Sequence, residues 1–134
     1  MDIKKQLVLT SSYEELERVE SLLNELQEAL GFDDEFYARL MLTVSEAATN
    51  AVVHGNQLDP AKKATIRAES DGKMLIFTTT DEGEGFEPEE VPSPLEEENL
   101  LKPSGRGVFL MQEYADGVEY QDEGRTLILK FKLV

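Results

Sequence analysis

Glu46, Asn50 and His54 recur at i, i+4 and i+8 within DDEFYARLMLTVSEAATNAVVHGN, residues 33–56. In a helix each step of four drifts by only about 40°, so all three project to roughly one side. Ser45, Ala47 and Ala51 beside them are small, which lets a ligand come close to the backbone. Taken alone, the helix reads equally well as presenting a polar face to solvent. Two glycine clusters tilt the reading toward a ligand. Asp81-Glu82-Gly83-Glu84-Gly85-Phe86 follows directly on a predicted strand, and Gly105-Arg106-Gly107 opens a predicted helix. Glycines at a strand end let a flat ligand touch backbone, and Asp81 can accept a hydrogen bond from an exocyclic amine. Glycines opening a helix expose free N–H groups, a site for phosphate. In so acidic a chain a polyphosphate also needs Mg²⁺. Asn50 offers it a neutral carbonyl, and Glu46 offers a base. No GxxxxGK[ST] loop occurs, nor the strand-Gly-helix unit of a dinucleotide fold. His54 is the sole histidine and no cysteine exists, so zinc is not expected; His54 suits a helix end, where the dipole favours it.

The elements that must position these residues follow from periodicity. Phe36, Leu40, Val44, Ala47, Ala48 and Ala51 form an apolar stripe at helical spacing, with Asp33 as N-cap and Gly55 as the stop. Before it, residues 3–10 alternate as a strand. Ser11 and Glu14 form a capping box for a helix over 13–30 whose core side is Leu16, Val19, Leu23, Leu26 and Leu30, ended by Gly31. Residues 63–70 and 73–80 predict a hairpin about Asp71-Gly72, with Ile66, Ala68, Leu75 and Phe77 inward. Residues 81–103 hold nine acidic residues, four prolines and a single lysine, so they predict a loop, and one this long is more often functional than an ordinary connection. A third helix over 104–116 and a closing hairpin about Glu123-Gly124 complete the order β-α-α-β-β-loop-α-β-β. That order predicts an α/β two-layer sandwich, a mixed and largely antiparallel sheet covered by helices on one face.

The length of 134 residues suits one domain, 1–134, and 40 % hydrophobic residues suffice for a core. The amino end is too short and too quickly polar for a secretory signal, and no apolar run approaches a membrane span. The absence of cysteine fits the cytoplasm without requiring it. A formal charge of -15 argues against nucleic acid as a direct partner, since phosphates would be repelled.

Glu46-x-x-x-Asn50-Ala51-x-x-His54-Gly55, Asp81-x-Gly83-x-Gly85-Phe86 and Gly105-Arg106-Gly107 together resemble the N, G1 and G2 boxes of the gyrase, histidine-kinase and chaperone ATPase superfamily. Within it, the single-domain bacterial anti-sigma-factor serine/threonine kinases are the nearest likeness, and the likeness runs over nearly the whole chain. It implies a Bergerat-type ATP-binding fold, with ATP and Mg²⁺ as cofactors. Asn50 would hold the metal, Asp81 the adenine amine, Gly83 and Gly85 the adenine pocket, and Gly105, Arg106 and Gly107 the phosphates. Thr126 would join the water network beside adenine, and Glu46 would be the catalytic base toward a serine hydroxyl. Residues 87–104 would be the ATP lid, although only Lys102 in it is basic. With no phosphoacceptor-histidine domain before residue 33, a complete sensor histidine kinase is not expected. The implied function is phosphorylation of an anti-anti-sigma protein by a kinase that also holds a sigma factor. The alternative is a nucleotide-binding partner-switch protein that transfers nothing. A homodimer, a cytoplasmic location and no membrane partner are further expectations, with Val8, Met74, Ile76 and Ile128 as outward apolar residues.

Overall fold

The computed structural model describes residues 2–83 and 111–133. The chain runs β1 (Ile3–Thr10), a 3₁₀ turn (Tyr13–Glu17), α1 (Arg18–Leu30), α2 (Asp34–Thr49), a π-helical turn (Asn50–Gly55), β2 (Lys63–Ser70), β3 (Met74–Thr80), β4 (Gly117–Gln121) and β5 (Thr126–Lys132). The strands form one sheet in the order β1-β2-β3-β5-β4, and every described pairing is antiparallel.

Alternation decides which face is covered. Leu9, Ala64, Ile66, Ala68, Leu75, Phe77, Leu129 and Phe131 point to the helix side and are buried. Val19, Leu22, Leu23 and Leu26 of α1 and Leu40, Val44, Ala47 and Ala48 of α2 meet them in one core. Phe131 packs edge-on to Phe77 and Phe36, and the Arg39 guanidinium lies over the Phe36 and Phe131 rings. The predicted two-layer sandwich is thus the architecture observed.

Local signals explain most boundaries. Asp33 caps α2 by accepting from Phe36 N at 2.8 Å, and Gly31 ends α1 at a φ of 74°. Asp71 accepts from Lys73 N and Met74 N at the β2–β3 turn. The capping box of Ser11 and Glu14 does not form. Ser11 Oγ is drawn inward to Lys62 O (2.7 Å), and Glu15 instead accepts from Thr10 N and Thr10 Oγ1. Those bonds, with Arg18 adjacent, hold the Glu15 carboxyl below its ordinary range. The chain accordingly enters α1 through a 3₁₀ turn. The helical chain stops at Gly55 as expected, but α2 itself gives way at Asn50 to the π turn, which is closed where Asn56 N reaches back to Ala51 O (2.8 Å). Of the third predicted helix, residues 111–114 are helical, with Met111 buried; its glycine entry and the predicted lid lie outside the described residues.

Candidate functional site

Glu46 and Asn50 lie one turn apart on α2 and its continuation, both half-buried. Asn50 Oδ1 is buried and accepts no hydrogen bond from the described residues. A buried amide oxygen without a donor is a costly state in a native interior. It is also a neutral, hard oxygen of the kind Mg²⁺ takes. Among the described residues no group of three His, Cys, Asp or Glu side chains could form a metal cage. Mg²⁺ commonly uses one or two protein donors and fills its octahedron with water and substrate phosphate, so a single such oxygen is a sufficient contribution from the protein. The switch to a π turn at Asn50 is the kind of local widening that often marks functional positions. His54, on the same π turn, is exposed.

The π turn delivers Gly55 against Asp81. A Cβ added at Gly55 would sit 2.6 Å from Asp81 Cγ and Oδ2, and one added at Gly83 would sit 2.1 Å from Gly55 O. At Gly83 the obstacle is backbone, so glycine is required there for the 81–83 segment to stack on the end of the π turn. Asp81 Oδ1 accepts from Gly83 N at 2.8 Å, while Asp81 N donates to Arg125 O at 2.9 Å. Burial pushes the Asp81 carboxyl up from its ordinary range, against the opposing pulls of the Gly83 N–H, Arg125 and Lys62. A half-buried carboxylate at the end of β3, with glycine backbone on two sides, is suited to accept from a flat ligand's amine.

The predicted residues are not all brought together. Glu46 and Asn50 lie on α2 and its π turn, Asp81 and Gly83 just after β3, and the two segments meet at Gly55. Thr126 pairs with Thr80 across β3 and β5, and its Oγ1 lies 3.5 Å from Thr80 Oγ1. This places it on the sheet face away from α1 and α2. Gly85, Gly105, Arg106 and Gly107 lie outside the described residues. Three groups were missed. Thr79, two residues before Asp81, faces the helix layer at 2 % exposure, and its hydroxyl is a second buried group without a partner among the described residues. Arg125 Nε donates to Gly83 O at 2.8 Å. Asn56 is fully buried and bonded to Glu82 N. Strand parity signals Thr79 once the inward set is known, whereas nothing local to Asn56 or Arg125 points to residues 81–83.

A family model described as "Histidine kinase-like ATPase domain" matches residues 9–131. An "Anti-sigma F factor" of Clostridium perfringens (strain 13 / Type A) is 36 % identical over 95 residues, covering 67 % of this chain and 68 % of that protein. Another of that name, from Halalkalibacterium halodurans, is 38 % identical over 92 residues, covering 65 % and 63 %. A third, from Geobacillus stearothermophilus, is 36 % identical over 92 residues, with the same coverage of 65 % and 63 %. The helix-covered antiparallel sheet agrees with these likenesses, and the chain belongs to the histidine kinase-like ATPase domain family, in its anti-sigma F factor group.

Proposed function

We propose that the chain is an ATP-dependent serine/threonine protein kinase and anti-sigma regulatory factor of the cytoplasm. Its substrates are ATP and a serine on an anti-anti-sigma protein, and a sigma factor is its second partner. The observation that carries this reading is Asn50 Oδ1, buried one turn beyond Glu46 and unpartnered among the described residues. Asn50 would hold Mg²⁺, which supplies neutralisation of the phosphate charge when bound. Asp81 receives the adenine amine, with Gly83 giving the ring access to backbone. Gly85, Gly105, Arg106 and Gly107 are assigned by resemblance to the pocket and phosphates, and Thr126 to the water network only through solvent. Glu46 takes the proton as the serine oxygen bonds to the γ-phosphorus and the bond to ADP breaks. Phosphoryl transfer depends chiefly on alignment and charge neutralisation, so the base is one contributor among several.

The test uses purified chain, its anti-anti-sigma partner and Mg·ATP labelled at the γ-phosphate. Transfer to serine is expected. Glu46→Gln should slow it by a factor on the order of 10² to 10⁴ while nucleotide affinity holds or rises slightly. Asn50→Ala should instead weaken metal-dependent nucleotide binding itself. Label reaching serine at an undiminished rate in Glu46→Gln removes the base role. Tight nucleotide and partner binding with no transfer by the wild type favours the non-catalytic partner switch.

A homodimer belongs to the same reading. Val8 is 40 % exposed, and Met74, Ile76 and Ile128 are half-buried on the sheet face away from α1 and α2. Light scattering that returned one chain's mass throughout the micromolar range would remove it.

A further inference from the structure

Asn56 ends the π turn, and every polar atom of its side chain is engaged in the interior. Its Oδ1 accepts from Glu82 N at 2.8 Å, and its Nδ2 donates to Ser11 Oγ at 3.0 Å. Ser11 Oγ in turn donates to Lys62 O at 2.7 Å. These partners leave one orientation for the carboxamide. The Ser11 proton is committed to Lys62 O, so Ser11 can only accept from Asn56; Glu82 N is a donor and requires the amide oxygen. Asn56 is 0 % exposed and Ser11 4 %. The bonds join three separate parts of the chain, the end of β1, the approach to β2 and the residue after Asp81.

Glu82 is held a second time, since its carboxylate accepts from Lys63 N. Gly83 O is gripped from the far side by Arg125 Nε. Between these anchors, the Asp81 carboxyl group rests against Gly55, the residue preceding Asn56, at a distance that leaves no room for a side chain. A shift of the 81–83 segment by a few tenths of an ångström would therefore swing the carboxylate against Gly55 or away from it.

We propose that Asn56 is a positioning residue for Asp81, its buried carboxamide fixing the direction from which that carboxylate meets the exocyclic amine of a purine nucleotide. The proposal rests on the reading above that Asp81 recognises adenine, and it extends that reading to what sets base selectivity. Asn56 touches no ligand. It acts through Glu82 N, one peptide away from the recognising side chain. Because Asn50 opens the π turn and Asn56 ends it, one short segment sets both the metal-side oxygen and the base-side carboxylate.

The experiment compares Mg·ADP with Mg·IDP by calorimetry on the full chain. IDP carries a carbonyl where ADP has its amine, so it sets an acceptor against the Asp81 carboxylate. Wild type should prefer ADP by a factor on the order of ten to a hundred. Asn56→Ala should bring that ratio down by about tenfold, with IDP affinity changed by no more than about threefold. A role confined to stability cannot do this, because loss of folded protein lowers both apparent affinities together and leaves their ratio alone. Should Asn56→Ala not fold, Ser11→Ala decides, since it keeps the Glu82 bond and releases the amide's other end. Its ratio should fall by about two- to fivefold. An ADP/IDP ratio unchanged from wild type in the folded variant overturns the positioning role. A wild type that does not distinguish ADP from IDP overturns the adenine reading of Asp81 itself, a separate failure read from a different sample.

Discussion

Asp81 carries two opposed demands. As the proposed acceptor of the adenine amine it works best ionised, while its half-buried place at the end of β3 pushes its carboxyl upward. A carboxyl whose folded value lies above its unfolded one contributes stability below the unfolded value, about 3.9, and that contribution is lost as pH rises through the folded value. At neutral pH the wild type has lost it. Asp81→Asn should therefore melt at the same or a higher temperature at pH 7, with the difference closing as pH falls below the ordinary carboxylate range. The amide oxygen can still accept from Gly83 N, so the turn should survive. ADP affinity should nevertheless drop by about tenfold, because a charge-assisted acceptor is gone. In the wild type, ADP affinity should begin to weaken at a higher pH than an unperturbed aspartate would dictate. Calorimetric titrations across pH 4 to 7 check both, and an Asp81→Asn variant less stable than wild type at pH 7 would show that the carboxylate is a net structural asset.

At the scale of elements, α2, its π turn and the start of the 81–83 segment behave as one piece because two glycines let backbones touch. The two glycines differ in what obstructs a methyl group. At Gly55 the obstacle is the end of the Asp81 side chain, which can swing aside; at Gly83 it is the Gly55 carbonyl, which cannot. Gly83→Ala should therefore destabilise by about 1–3 kcal/mol. Gly55→Ala should cost less stability and more nucleotide affinity. Urea midpoints set beside ADP titrations separate the two, and the reverse ranking would contradict the stacking. This corner also shows where the sequence was legible. The Phe36-to-Ala51 stripe, the Asp33 cap and the Gly31 stop depend on neighbours within a few residues, so they read correctly. Glu46 and Asn50 share a face for the same reason. Ser11 and Glu14 looked like a capping box by spacing, but Ser11 finds its partners at Lys62 and Asn56, far along the chain. Asn56 itself bonds residues 45 and 26 positions away, and no local pattern encodes such a pairing. Thr126 is assigned by resemblance alone, and the face it takes follows from register, in which a one-residue step exchanges inside for outside. Thr79 carried the inward parity, visible only once β3 was paired.

Over the whole molecule, charge is the dominant feature, at a formal -15. Ion pairs among the described residues do little to offset it. Lys5–Glu25, Arg18–Glu15, Arg39–Asp116, Arg125–Asp122 and Lys130–Glu119 span 3.2–3.7 Å, with at least a quarter of each side chain exposed. Such pairs are worth about 0–1 kcal/mol each, and salt weakens them. Folding concentrates the remaining negative charge, and unfolding relieves it by spreading the chain. At about 0.1 M salt the screening length is roughly 10 Å, comparable with the spacing of surface carboxylates, so added salt should quiet the repulsion strongly. The two effects have opposite signs, and the excess of unpaired acids makes repulsion the larger. The chain should therefore gain stability with sodium chloride, its urea midpoint rising between about 0.05 and 0.5 M, and Mg·ADP binding should lose little over the same range because the metal already neutralises the phosphates. A midpoint that fell with salt would mean that the exposed pairs outweigh the net charge. Glu25→Gln, which opens the Lys5 pair, should then lower the midpoint by about as much as the salt does; under the repulsion account it leaves the midpoint nearly unchanged, because the lost pair is offset by one fewer negative charge.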